Sequence, residues 1–588
     1  MKIEKIVVHN WRSIKDLEVN FQDIMVFIGQ NNHGKSNVLS SLLFFFGEIA
    51  CVDEDFNKES DELYVEITFS DLNEEEKSQF FKYLTESGKI EVRKEVRRGE
   101  SAEYHGYCQI PTEEWLKEEN VSNYRTREAM NTTPLSELVP PGGQLTKEKI
   151  KEAQRQYIAA NQGNVQFERT REEANFLGQK TLPSGIFGRV HFIPAVKNAS
   201  EEFNVRGKSI FGQLLTSIIN EMSTTNEGYQ EIKQKIKELT NVLNKKTEDG
   251  TVNTNRPAQI SRFEELIETE LGNWDTKIDI EITPPDVDES LRLGTSVWVD
   301  DGVQTDVSRK GNGLQRSLIF ALIKTWVKIS HERSISTEGV SIGSPSKTTY
   351  FIFEEPELYL HPQAQRELYS SLKQLSKLNN QVLLSTHSSS FIDLRNYKSI
   401  CVVHKENLEQ GTRAFQCTAE LFPTIDEKNQ FNATYWINPD RGELFLAKKV
   451  LLLEGQTEKT VIPRLAKMIE VFRYDYTLID CGGKECIPVF LELLNKFKIP
   501  YVVVYDKDHQ KYRDSNDVAV ADKRSNAIED KIDSSLGVSV VLENDIEEEI
   551  GIISGKSKNK AYAAYKHIAD PSFSISESLK GKIEKIFN

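Results

Sequence analysis

The chain opens on alternating polar and apolar positions, Lys2-Ile3-Glu4-Lys5-Ile6-Val7-Val8, the period of a half-buried strand. Residues 1–70 read as strand, strand, glycine-rich loop, helix, strand. The continuous apolar run Met25 to Ile28 stops at Gly29, helical spacing begins at Ser36, and Leu63 to Phe69 alternates again. From about 72 to 187 the texture turns charged and helix-rich, broken by Pro140-Pro141-Gly142-Gly143. A second helical stretch runs over about 205–272. Short apolar strands are expected at Val190 to Pro194 and at Lys277 to Ile282. Strand–helix alternation resumes over 296–405. A loop-rich stretch with Pro423 and Pro439 covers 406–440, and alternation returns from Lys449 to about Lys566.

This pattern predicts an α/β protein in five parts: 1–71, a mostly helical insert at 72–187, 188–405, a linker at 406–440, and 441–588. A length of 588 residues supports that division, since about 150 residues per domain suggests roughly three or four units. The charged helices read either as a solvated insert or as an arm for subunit or DNA contact, and the two are compatible. No stretch approaches the ~20 apolar residues of a membrane span, and the N-terminus lacks a signal-peptide pattern. A cytoplasmic location is therefore expected. Six scattered cysteines without a CxxC pair read as buried free thiols. The net charge of −16 argues against a protein that coats nucleic acid by bulk electrostatics, but metal ions and local basic clusters could still supply attraction.

Two sets of residues carry chemistry. Gly29-Gln30-Asn31-Asn32-His33-Gly34-Lys35-Ser36 fits GxxxxGK[ST] between a strand and a helix. Its backbone N–H groups would cradle phosphates, Lys35 would reach the β- and γ-phosphates, and Ser36 would ligate Mg²⁺. Asn32, Gly34 and Asn37 belong to the same expected ATP-binding surface. Far downstream, the strand Thr349 to Phe353 ends in Glu354-Glu355, where one carboxylate can meet Mg²⁺ and the next can polarise water. The strand Val382 to Ser385 ends at Thr386-His387, and a histidine there can sense a γ-phosphate.

An ATPase has no use for the second set. Lys449 to Leu453 is a strand ending in Glu454-Gly455, Leu478 to Asp480 is followed by Gly482-Gly483-Lys484, and Tyr501 to Tyr505 ends in Asp506-Lys507-Asp508. Acidic residues at the ends of adjacent parallel strands are suited to holding Mg²⁺ or Mn²⁺ against a phosphodiester. After a fourth strand, Val538 to Val541, come Glu543, Asp545 and Glu547, read as metal ligands or as a solvated acidic helix face. Lys558 and Lys560, in a basic loop, are candidates for stabilising phosphorane charge, with exposed surface lysines the alternative.

The long gap between phosphate loop and acidic strand resembles the ABC-type ATPase heads of the SMC, Rad50 and RecF branch, split by a helical insert. That resemblance makes Ser308-Arg309-Lys310-Gly311-Asn312-Gly313-Leu314-Gln315 the signature loop, with Ser308, Gly311 and Gly313 capping ATP bound to a second subunit. This loop departs from LSGGQ, and Glu354 stands where Asp is usual, which implies slow or gated hydrolysis. The βαβαβ succession with acidic strand ends resembles a Toprim domain.

Together the two halves resemble the OLD (overcoming lysogenization defect) family of ATP-dependent endonucleases. The resemblance implies ATP and Mg²⁺ or Mn²⁺ as cofactors and DNA as substrate. It assigns ATP binding to Gly34, Lys35 and Ser36, the acidic-pair role to Glu354 and Glu355, with Glu355 the catalytic residue that polarises the attacking water, and the switch role at the ATP site to His387. Metal binding falls to Glu454, Glu458, Asp506 and Asp508, then to Glu543, Asp545 and Glu547. It further implies a homodimer or larger homo-oligomer through the ATPase and insert regions, with the helical segment near 205–272 involved. Many members defend bacteria against phage, some paired with a UvrD-like helicase as in Gabija systems, others with a retron reverse transcriptase and its msDNA. A RecF-like DNA clamp with a non-catalytic Toprim module is the competing expectation. Nothing reads as a transport ATPase or as the winged-helix module of a topoisomerase.

Overall fold

The computed structural model describes residues 1–588 except 59, 141, 143, 162–163, 184, 196–202, 204–208, 247–250, 273–275, 284–285, 294, 337–347, 378–379, 408, 422–423, 425–438, 512 and 553–558. Two compact units emerge. The first contains Met1–Ile193, Ile342–Leu358 and Pro362–Asn588; the second contains Pro194–Ser341 and Tyr359–His361.

In the first unit, β1 (Lys2–His9), β2 (Asp16–Asn20), β3 (Ile24–Ile28), α1 (Lys35–Phe46) and β4 (Glu62–Ser70) follow the expected order with one strand more, since three rather than two precede the loop. The next segment departs from expectation. Residues 72–187 do contain helix, notably α2 (Lys147–Ala160), but also β5 (Ile90–Arg97), β6 (Glu103–Pro111) and β7 (Phe167–Arg171). These strands extend an antiparallel sheet of order β2-β1-β4-β5-β6-β7. Ile90, Val92 and Val96 face inward from β5, while Glu91, Arg93 and Glu95 remain at its partly exposed positions. The charges on one face hid the period of two.

A second sheet forms the nucleotide-site scaffold. It adds β8 (Arg189–Ile193), β9 (Thr349–Glu354), β10 (Asn380–Thr386), β11 (Ile400–Lys405) and β12 (Thr412–Gln416), in the order β12-β11-β3-β10-β9-β8. All its pairings are parallel except β11 with β12. Because β12 lies within 406–440, that stretch is a linker only in part. Every residue of β3 and β10 is buried, as expected for strands covered on both faces. Between the two sheets, α1 buries Val38, Leu39, Leu42 and Phe45 in a core rich in aromatic rings, among them Phe69 stacked on Phe187 at 5.5 Å.

The C-terminal part of this unit carries β13 (Lys449–Leu453), α3 (Gln456–Met468), β14 (Tyr476–Asp480), α4 (Ile487–Lys496), β15 (Tyr501–Asp506), α5 (Ser515–Glu529), β16 (Gly537–Leu542), α6 (Ile546–Glu549), α7 (Lys560–Ile568) and α8 (Glu577–Phe587). Its four-stranded sheet is parallel throughout, of order β14-β13-β15-β16. Leu453 aligns with Asp480 and Val504, and Asp506 with Leu542, so all four strands finish at one edge.

The second unit is mainly helical, with Ile210–Thr225, Glu227–Leu243, Ala258–Glu270 and Asn312–Ser336. The strand expected at Lys277 to Ile282 is absent, and no regular element occupies that stretch. Its backbone N–H groups are taken by side chains instead: Ile278 donates to Glu268, Ile280 to Glu264 and Ile282 to Asn244. Those bonds satisfy the backbone without a partner strand. Among the described residues, no helix is long and apolar enough to cross a membrane.

Candidate functional site

The phosphate loop leaves β3 at Gly29 and enters α1 at Lys35. Gly29 and Gly34 adopt positive φ angles of 152° and 100°. A Cβ at Gly29 would stand 2.1 Å from the Val403 carbonyl oxygen, and one at Gly34 would stand 2.3 Å from Thr412 Oγ1. Glycine is therefore demanded by packing as well as by conformation. Asn32 is exposed and left-handed at φ 63°. Lys35 is buried and donates to the carbonyls of Gly29 (3.1 Å) and Gln30 (3.0 Å). Burial pulls its pKa down to about 8, against the opposing pull of Glu355, Glu357 and Glu354. Asn37 turns to the scaffold, donating to Ser13 Oγ at 2.7 Å. Ser13 in turn meets Thr412 Oγ1, which donates to the His33 carbonyl.

Strand β9 delivers Glu354 to the loop, where it accepts a hydrogen bond from the Ser36 hydroxyl. Glu355 follows in a left-handed turn at φ 45°, its N–H bonded to Ser385 of β10 and its carboxylate 3.4 Å from His387 Nε2. The structure thus brings Ser36 to Glu354 and Glu355 to His387. Sequence reasoning passed over Glu357. It is buried, accepts from the His387 N–H at 2.5 Å, and leaves Oε2 without a protein partner. Burial raises its pKa. Its only sequence signal is the run Glu354-Glu355-Pro356-Glu357.

In the second unit, the 308–315 segment is a short turn leading into the helix Asn312–Ser336. Ser308 donates from both N–H and Oγ to Asp306, and the buried Gln315 amide folds back onto the carbonyls of Lys310 and Ser308. Gly311 has open space around its Cα, and Gly313 lies in the first turn of the helix.

The acidic centre forms at the carboxyl edge of the β13–β16 sheet. Glu454 follows β13, with Oε2 3.3 Å from the Asp506 N–H. Glu458, in the first turn of α3, accepts from the Gly455 N–H at 2.9 Å and is buried. Asp506 is buried, and its Oδ1 has no hydrogen-bond partner. Desolvation, reinforced by Glu458, Glu454, Asp508 and Asp545, pushes its pKa up to about 10. Glu458 is pushed up to about 7 by burial, with Glu454 and Glu547 adding to the effect. Several carboxylates crowd one desolvated space and resist sharing negative charge.

Asp508 is balanced differently. Lys484 Nζ lies 3.3 Å from one carboxylate oxygen and Arg513 Nη2 2.6 Å from the other. Lys484, from the Gly482-Gly483 turn, also donates to the Asp506 carbonyl at 2.5 Å. Asp545 caps α6 through the Glu548 N–H and accepts from Gln510 at 3.1 Å. Glu547 is buried 3.6 Å from Lys560 Nζ. Glu543 stands apart: it is exposed, and its backbone N–H donates to Glu549. Strand β16 ends one residue before it, so the chain turns inward only at Asp545. Lys558 lies outside the described residues. Among those residues, no three His, Cys, Asp or Glu side chains are yet drawn together as a ready metal cage. The unpartnered Asp506 oxygen and the mutual repulsion within the cluster still fit a cation bound by hard oxygen donors.

Residues 1–392 of the 588 match the family described as AAA ATPase domain, and residues 445–508 match the Toprim domain described as overcoming lysogenization defect protein-like. The chain belongs to the AAA ATPase domain family and carries an OLD-like Toprim domain. It is 27% identical over 337 residues to the Old nuclease of Escherichia phage P2, covering 55% of this chain and 54% of that protein. The OLD nuclease of Thermus scotoductus is 28% identical over 201 residues, covering 34% and 35%. Endonuclease GajA of Bacillus cereus is 22% identical over 519 residues, covering 86% and 75%. The chain thus spans about half, and about a third, of the first two relatives. The phosphate loop and His387 fall within the AAA ATPase match, and Glu454, Glu458, Asp506 and Asp508 within the OLD-like Toprim match.

Proposed function

We propose that this chain is an ATP-regulated, divalent-metal-dependent DNA endonuclease. The observation that carries the reading is the acidic centre, where Glu454, Glu458 and Asp506 share a desolvated edge on the same chain as a complete phosphate loop. Glu454, Asp506 and Asp508 would hold one Mg²⁺ or Mn²⁺, with Glu458, Asp545 and Glu547 available to a second. A bound ion would lower the pKa of its water and neutralise charge at the phosphodiester. Lys484 and Arg513 orient Asp508, and Lys560 offers a cation beside Glu547 for the scissile phosphate.

In the ATPase part, Lys35 would meet the nucleotide phosphates, and Ser36 with Glu354 would take the nucleotide's metal. Glu355 would orient a water, and His387, 3.4 Å away, would couple that carboxylate to the end of β10. The glutamate at position 354 and the unusual signature support a gate rather than a motor, so ATP would set when DNA is cut. Assembly as a homo-oligomer through the 205–272 segment, and a role in defence against phage with a helicase or reverse transcriptase partner, are supported by the family resemblance.

The test is supercoiled plasmid incubated with Mn²⁺ or Mg²⁺, with ATP, a nonhydrolysable analogue, or no nucleotide. Wild type should nick or linearise it, and Asp506→Ala with Asp508→Ala should fall to background. An inactive wild type under every nucleotide condition, or undiminished cutting by the double variant, would overturn the reading.

A further inference from the structure

Helices α3 and α7 pack side by side, and both begin at the acidic centre: Glu458 lies in the first turn of α3, and Lys560 opens α7 beside Glu547. Across their 22 residues (13 in α3, 9 in α7) the two helices carry five basic side chains and a single acidic one, and that one, Glu458, is buried. The chain as a whole has 90 acidic residues against 74 lysines and arginines, so this sign reversal is local. Two large aromatic rings stand in the same region. Tyr562 and Tyr565, three apart on α7 and so on one face, are 63% and 41% exposed. The Arg464 guanidinium from α3 lies 6.0 Å from the Tyr565 ring centre, and Lys566 is exposed next to it.

Exposed aromatic rings between cations offer flat faces beside positive charge. They suit a polyanion whose units also have flat faces. We infer that the α3–α7 face is the track along which a DNA strand approaches the acidic centre, with Tyr562 as the stacking platform for an unpaired base next to the cleaved phosphodiester. The inference deepens the endonuclease reading and rests on it for the cleavage step alone. Arg464, Lys560 and Lys566 meet phosphates, and the two rings take bases without regard to sequence. The preferred substrate is then a duplex with frayed, gapped or single-stranded nucleotides at the cut.

The full-length protein without divalent cation, so that nothing is cut, is titrated into a fluorescein-labelled single-stranded oligonucleotide and a blunt duplex of the same sequence. Wild type should favour the single strand. Tyr562→Leu should weaken that binding roughly 5- to 140-fold, the range for one lost base stack, while Tyr562→Phe keeps it. Arg464→Gln with Lys566→Gln should lower the slope of log Kd against log salt by about 1.4, or 0.7 per phosphate contact. Unchanged affinity in Tyr562→Leu, or equal loss in Tyr562→Phe, overturns the track. So does an unchanged affinity accompanied by a shift in sedimentation, which would assign the face to a second copy of the chain. Binding that behaves as expected in a protein that never cuts would sink the nuclease reading and leave the track. Cutting with undisturbed binding in the variants would do the reverse.

Discussion

Lys484 is a buried ammonium whose partners are the Asp506 carbonyl and the Asp508 carboxylate, two atoms of the turn that ends β15. Removing Lys484 leaves Asp508 with Arg513 as its remaining cation and the Asp506 carbonyl without its donor. Lys484→Met should therefore lower the stability of the folded chain by about 2 kcal/mol, the scale of a lost hydrogen bond to a charged group, read as an earlier midpoint in urea, whereas no loss would mean that Arg513 and solvent already balance Asp508. Lys94 is a second buried ammonium, donating to the Phe44 carbonyl at 2.6 Å with the Phe44 and Tyr104 rings around it. Burial lowers its pKa to about 8 from 10.5. Between those values the unfolded chain keeps a proton that the folded chain has released, so this residue's contribution to stability rises with pH from about 8 to about 10.5. The slope is at most about 1.4 kcal/mol per pH unit. The difference between wild type and Lys94→Met in urea unfolding should follow that slope across the window, and a difference independent of pH would contradict it.

At the scale of elements, the acidic strand ends and the phosphate loop were readable because each is a local signal: an apolar run, a stop, and a chemically distinctive residue. The strands of the 72–187 segment were not. In β5 the inward Val92 and Val96 alternate with Arg93, Glu95 and Arg97, and charge density imitates a solvated helix. Lys277 to Ile282 misled in the opposite direction, since its alternation is satisfied by Glu264, Glu268 and Asn244 rather than by a strand. The same split divides the sites. Glu454 and Asp506 announce themselves at strand ends, but Glu357, Gln510 and Arg513 matter only through partners that the fold brings near. One consequence lies in the helix after the phosphate loop. Its last carbonyls, at Phe44 and Phe45, are taken by Lys94 of β5 and the Tyr104 hydroxyl of β6. Tyr104→Phe leaves the ring but removes that bond, and should cost about 1 kcal/mol in urea unfolding, with no change pointing to water as the partner instead.

At the scale of the whole molecule, the ATPase match ends at residue 392, but the scaffold around the phosphate loop does not. Strand β11 pairs with β3, and Thr412 of β12 presses on Gly34 and holds the His33 carbonyl. A fragment ending at 392 should therefore bind a fluorescent ATP analogue far more weakly than the full chain, and equal affinity would show that the loop is self-sufficient. The same contact sets a schedule. The loop Gly29 to Ser36 is made within the first 40 positions, yet the wall that shapes it is synthesised some 370 residues later. At ~5–20 residues per second, the nascent chain spends roughly 20 to 75 seconds with an unfinished nucleotide loop. Most of the chain is thus made before Thr412 can complete the wall of that loop.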